Sequence, residues 1–337
     1  MQRTLSRNRR LYWAIGLGLL GVLVFRHVLL ALLTQLAAGY LLMMLALPLC
    51  RLLEKHLPPS TAAALAFLAL GAAALAVVLL VIPPISQQFR QLSDSLPAVL
   101  HWGQDVLNRL QLVLQERGFD LNPVRDELFT QIGQRAGGLI TGVAQAAAQV
   151  VQAAGKLFLA PLFAFYLLRD RRRIVSGLTL LIPVQYRARA VRAAREMRRE
   201  TANFLRGQLL LSLAVGMLTA LGLLLTRTPG WLVLGLLMGV MELIPYIGPV
   251  LAGIPAVLLA LQGGIVSALW TLGVLFLVQQ IEGGLLSPRF LSGATRLHPL
   301  LVLLAISAGG MVGGALGMVL ALPVVVSLRG ALRGLRV

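Results

Sequence analysis

The sequence predicts an all-α polytopic membrane protein with about six to eight transmembrane helices. Two of its apolar stretches are broken by glycine and proline into re-entrant hairpins, and one helical excursion lies outside the cytoplasm. Three observations carry this prediction. Of 337 residues, 58% are hydrophobic and only 12% charged, a balance that excludes a soluble domain or a disordered chain. Apolar runs of span length recur along the chain. Residues 231–261, WLVLGLLMGVMELIPYIGPVLAGIPAVLLAL, are too long for one crossing and cannot be one helix, because Pro245, Pro249 and Pro255 remove backbone donors and Gly248 and Gly253 weaken the remainder.

The first unit, residues 1–84, opens with Arg3, Arg7, Arg9 and Arg10 before an apolar run from Leu11 to Phe25. That order resembles a secretory signal, but no small-residue cleavage site follows, so the run reads as an uncleaved span with a cytoplasmic N-terminus. Val28–Leu49 and Thr61–Ile82 are the next two spans, separated by Arg51, Lys55 and the Pro58-Pro59 pair. The chain then leaves the membrane.

Residues 85–149 form the helical excursion. Leu92, Leu96, Val99, Val106, Leu110 and Leu114 recur at helical spacing and ask for a partner helix or a neighbouring subunit. Five arginines against six acidic residues leave this region at −1. A span at 150–168 follows, and then a basic helical segment, 169–206, with eleven arginines against Asp170, Glu196 and Glu200, or +8. The contrast across one span places the basic segment in the cytoplasm, where anionic lipid attracts it. The chain's net charge of +18 is therefore topological and does not imply nucleic acid.

Residues 207–328 are the core. Gly207–Thr226 is a span, 231–261 the first broken stretch, Ile265–Ile281 another span, 282–298 a weakly positive cytoplasmic connection, and 299–328 the second broken stretch, with Gly309, Gly310, Gly313, Gly314 and Gly317 at its centre and Pro323 near its end. Each broken stretch either crosses once as a kinked helix, giving eight crossings, or folds back, giving six crossings and two hairpins; their length favours hairpins. Arg329, Arg333 and Arg336 in the tail, 329–337, place the C-terminus in the cytoplasm.

Paired interrupted segments point to a transporter's binding site near the bilayer midplane. Glu242, the one acidic residue well inside an apolar segment, costs about 2.5 kcal/mol or more to insert and is by default functional; a group at the membrane interface or a partner for a buried arginine is the structural alternative. Pro245, Tyr246, Gly248 and Pro249 read as an unwound linker with free carbonyls. Gln280 and Glu282 lie at a span end, where Gln280 serves helix contacts and Glu282 is most simply solvated. His298 is a loop histidine able to titrate near neutrality, and Gly310, Gly313 and Gly314 permit close helix packing or contact with a solute. One cysteine and four histidines form no metal-ligand pattern, and the chain holds no nucleotide, hydrolase or metalloprotease motif. No cofactor is expected, and any energy comes from a gradient.

The segments FYLLRDRRR (165–173), ELIPYIGPVLAGIPAVLLAL (242–261) and SPRFLSGATRLHPLLVLLAISAGGMVGGALGMVLALP (287–323) resemble those of the autoinducer-2 exporter family of bacterial membrane proteins. Glu242, Pro245, Tyr246, Gly248 and Pro249 match its first signature; Pro288, His298, Pro299, Gly310, Gly314, Gly317 and Pro323 match its second. The resemblance implies a carrier in the bacterial inner membrane that is not an enzyme. It implies export of an autoinducer-2-like signal used in quorum sensing or, as an alternative, sodium or lithium antiport against protons, and a homo-oligomer, with a pentamer as one form. A membrane scaffold that binds partners through its outer region is the non-transporting alternative.

Overall fold

The computed structural model describes residues 26–80, 83, 84, 87, 159–291 and 297–336. The apolar stripe from Leu92 to Leu114 and the span at 11–25 lie outside these residues. The described chain is helical throughout, without a strand, and five of its helices are long and apolar enough to cross a membrane.

Helices α1 (Arg26–Leu53), α2 (Pro59–Leu80) and α3 (Leu159–Arg169) form one unit. Small residues let them approach: a side-chain carbon at Gly39 would lie 2.9 Å from Phe163 Cβ, and Ala62, Ala63 and Ala66 are fully buried against Leu47, Cys50 and Leu168. Arg171 at the head of α4 (Arg171–Leu180) closes the unit with bonds of 2.7 and 3.0 Å to the two oxygens of Glu54.

The core is built along α5 (Val184–Leu225). The sequence divides this element at Gly207 into a basic surface helix and a span; the structure runs them together as one helix of 42 residues, about 63 Å at 1.5 Å per residue. No glycine–proline break falls between the two parts, so the helix continues.

Both broken stretches fold back. Helices α6 (Trp231–Met241) and α7 (Ile247–Ala260) are about 16 and 21 Å long, each too short for a hydrocarbon core of about 30 Å. They pair antiparallel: Met241 lies at Gly248, Met238 packs with Ala252, and Leu234 with Ala256 and Leu259. After a short 3₁₀ turn, Leu261–Gly263, comes α8 (Ile265–Ile281). It passes through a π-helical turn, Glu282–Leu286, into the short α9 (Ser287–Leu291).

The last element, α10 (Pro299–Arg336), has a reversal inside it at Gly314, where φ is +60° and ψ −143°. Only glycine adopts that backbone without strain. The arms on either side pack against each other, Gly309 against Gly317, Gly310 against Met318, and Val302 and Ile306 with Leu322 and Val326.

Helix α5 serves as a ruler for the core. From one end it meets the second arm of α10 in reverse order, Ala193 at Gly334, Met197 at Gly330, Thr201 at Ser327 and Phe204 near Leu322. From the other end it meets α6, Leu223 with Leu234, Gly216 at Gly235, Ser212 at Gly239 and Gln208 at Glu242. The two hairpins therefore enter from opposite ends and overlap beside residues 204–208. Helix α8 descends antiparallel to α5, with Thr271 at Thr228, Val274 at Gly222 and Phe290 at Gly207. Span plus hairpin is thus repeated with inverted direction.

Candidate functional site

Where the hairpins overlap there is a cavity of about 680 Å³, within the usual range for small-molecule sites. The tip of the first hairpin supplies Glu242, Pro245 and Tyr246; α5 supplies Phe204, Gln208 and Leu211; the α8–α9 wall supplies Gln279, Gln280, Glu282, Ser287 and Pro288; and the second hairpin supplies Val302 and Leu322.

Chain chemistry forces the shape of the first tip. With the donors of Pro245 and Pro249 missing, the helix cannot continue, and Ile247 N–H bonds back to the Pro245 carbonyl at 2.8 Å. Tyr246 sits between them at φ +66° and ψ −48°, a tight γ-turn that strains a bulky residue by about 1–3 kcal/mol. Strain of this kind concentrates at ligand sites and switch regions.

Glu242, directly before that turn, is only 1% exposed. Its backbone carbonyl accepts a 2.7 Å bond from Gln208 Nε2. Its Oε2 and the Oε1 of Gln208 are both buried with no hydrogen-bond partner among the described residues. Buried polar atoms are almost always paired, so two orphans beside one cavity mark a place for a ligand or water. Among the described residues no arginine pairs with Glu242, so the structural alternative of a buried ion pair has no partner there. The second carboxylate, Glu282, receives Ser287 Oγ at 3.4 Å and lines the same cavity.

Glu282 is thus a wall residue, where the sequence favours a solvated loop carboxylate. The connection read as polar from residue 282 is helical to Leu291. A π turn takes up the extra residue around Gly283 and Gly284 and ends just before Pro288, whose missing donor interrupts the regular ladder there.

Of the other candidates, Tyr246, Pro245 and Gln280 line the cavity with Glu242 and Glu282, whereas Gly248, Pro249, His298, Gly310, Gly313 and Gly314 do not. Gly248 lets the hairpin arms close at Met241, Gly310 packs on Met318, and His298 is exposed with Nδ1 accepting from Leu300 N at 3.3 Å. Gln208 and Ser287 are cavity residues that the sequence does not single out. The signal for Gln208 is faint, an amide at the start of an apolar run.

A family model described as "AI-2E family transporter" matches residues 14–336. Relatives include the Bacillus subtilis protein named "Putative transport protein YueF", 28% identical over 82% of this chain and 77% of the relative. "Putative transport protein YrrI" of the same organism is 32% identical over 48% of this chain and 46% of its own length. The Escherichia coli "Putative permease PerM" is 30% identical over 50% of this chain and 48% of its own. The match thus spans about half the length of the latter two.

Proposed function

The chain belongs to the AI-2E transporter family, and on that premise we propose that it is a secondary transporter that moves a small polar solute outward across the bacterial inner membrane. The family's name supplies an autoinducer-2-like signal as the example of such a solute. The observation that carries this reading is the single cavity shared by two oppositely directed hairpins, with the buried Glu242 carboxyl at its edge.

That arrangement supports alternating access as the mechanism. The first hairpin closes the cavity from one end of α5 and the second from the other, and small displacements of either open a path to one side. Glu242, Pro245, Tyr246, Gln280 and Glu282 contact the solute. The glycines and prolines of the breaks, Gly248, Pro249, Gly310, Gly313 and Gly314, permit the hairpins to move. Both termini lie in the cytoplasm, lipid surrounds the spans, and the protein works as a homo-oligomer.

Antiport of sodium or lithium against protons is the second reading, favoured by the two carboxylates in one cavity. Proteoliposome flux under an imposed proton or sodium gradient tests both. Gradient-driven movement of an organic solute supports the first, exchange of metal ions alone supports the second, and no flux of either kind supports the scaffold alternative.

A further inference from the structure

The lining of the cavity has a sign. Among the described residues it holds two carboxylates, Glu242 and Glu282, three amides, a serine and the Tyr246 hydroxyl, and no lysine, arginine or histidine. Among the described residues the nearest basic groups in sequence, Arg206 on α5 and Arg289 on α9, are exposed and do not line it. Hairpin 2 contributes only Val302 and Leu322, and the neighbouring His298 is exposed. Among the described residues an anionic solute would find no counter-charge in the lining and would be repelled by whichever carboxyl is ionised.

The orphaned atoms ask for the opposite partner. Among the described residues Glu242 Oε2 and Gln208 Oε1 are buried acceptors without donors. A bare metal ion would satisfy oxygens only and leave most of a 680 Å³ cavity to water. A protonated amine supplies donors for these acceptors and charge-assisted bonds to the carboxylates, and a hydroxyl or carbonyl oxygen on it meets the amides and the serine of the wall.

We propose that this cavity binds small hydroxylated or carbonyl-bearing amines in their protonated form, and that each ammonium entering replaces a proton on one of the two carboxylates. The inference rests on the transporter reading for its consequence, since replacement of protons by solute on the same groups is the condition for exchange. It narrows the solute class from polar to cationic and sets apart neutral, sugar-like signals. The exchange involves no covalent step: the carboxylic acid gives up its proton to solvent, and the carboxylate left behind accepts the ammonium hydrogens.

The test uses the full chain in nanodiscs with ethanolamine as probe, and glycerol and lactate as neutral and anionic comparators of similar size. Ethanolamine should raise the melting temperature, release protons into weakly buffered medium, and bind up to about tenfold more weakly for each unit the pH falls. Glu282→Gln, at a half-exposed position that tolerates an amide, should weaken binding at least about tenfold and reduce proton release; Glu242→Gln should do the same. Binding of glycerol or lactate in preference to ethanolamine, no ethanolamine binding, or binding without proton release overturns the proposal. The two readings fail separately. Gradient-driven glycerol flux without ethanolamine flux keeps the transporter and removes the amine, whereas ethanolamine binding with proton release but no flux keeps the site and removes transport.

Discussion

Gln208 holds the backbone of Glu242. The 2.7 Å bond from its Nε2 to the Glu242 carbonyl ties the tip of the first hairpin to the middle of α5, at the point where α6 can no longer satisfy its own last carbonyls. Span and hairpin are thereby fixed in register by a side chain, and the same amide leaves its oxygen buried without a partner among the described residues.

Gln208→Leu removes this tie and leaves a buried carbonyl unpaired, at a cost of about 1–3 kcal/mol. Thermal unfolding in detergent should show the loss as a lower midpoint. Flux should fall by a larger factor than stability alone explains, because the tip loses its position. Gln208→Glu should also destabilise, by adding an acceptor where a donor is needed.

Glu242→Gln keeps shape and removes charge. With no described arginine paired to Glu242, the change strands no buried cation, and melting temperature should hold or rise. Proton-driven flux should vanish. Wild-type flux with unchanged pH dependence removes the coupling role from this residue.

The glycines of the second hairpin separate into two kinds. A Cβ at Gly317 would collide with the Gly309 carbonyl, whereas at Gly313 the nearest atom is Thr34 Cγ2 at 3.9 Å. Gly317→Ala should therefore force the arms apart and lower the melting temperature by several degrees, and Gly313→Ala should be near neutral. Equal effects at both positions contradict the antiparallel pairing of the arms.

The two hairpins could be read from the chain because proline and glycine act locally: Pro245 and Pro249 remove donors within one turn, and Gly314 adopts a backbone that other residues resist. Glu242 could be read because a charge in an apolar run has few innocent explanations. The partners that make a site of it could not. Gln208 on α5 and the neighbours Glu282 and Ser287 on the α8–α9 wall are far from Glu242 in sequence, and only the antiparallel descent of α8 along α5 brings them to it. Local composition misled at residues 282–291, where Gly283, Gly284 and Pro288 suggest a loop but a π turn preserves the helix. The conspicuous glycines, Gly310, Gly313 and Gly314, shape the second hairpin without lining the cavity.

The central claim is that the cavity between the hairpins opens to either side of the membrane in turn. Ser287→Cys in a Cys50→Ser background places a single thiol in its wall, since the chain has one native cysteine. An impermeant maleimide applied to right-side-out and to inverted vesicles should label Ser287→Cys from both sides, with the ratio of the two rates changing when the proton gradient is reversed. Labelling from one side only, under every gradient, contradicts alternating access at this cavity.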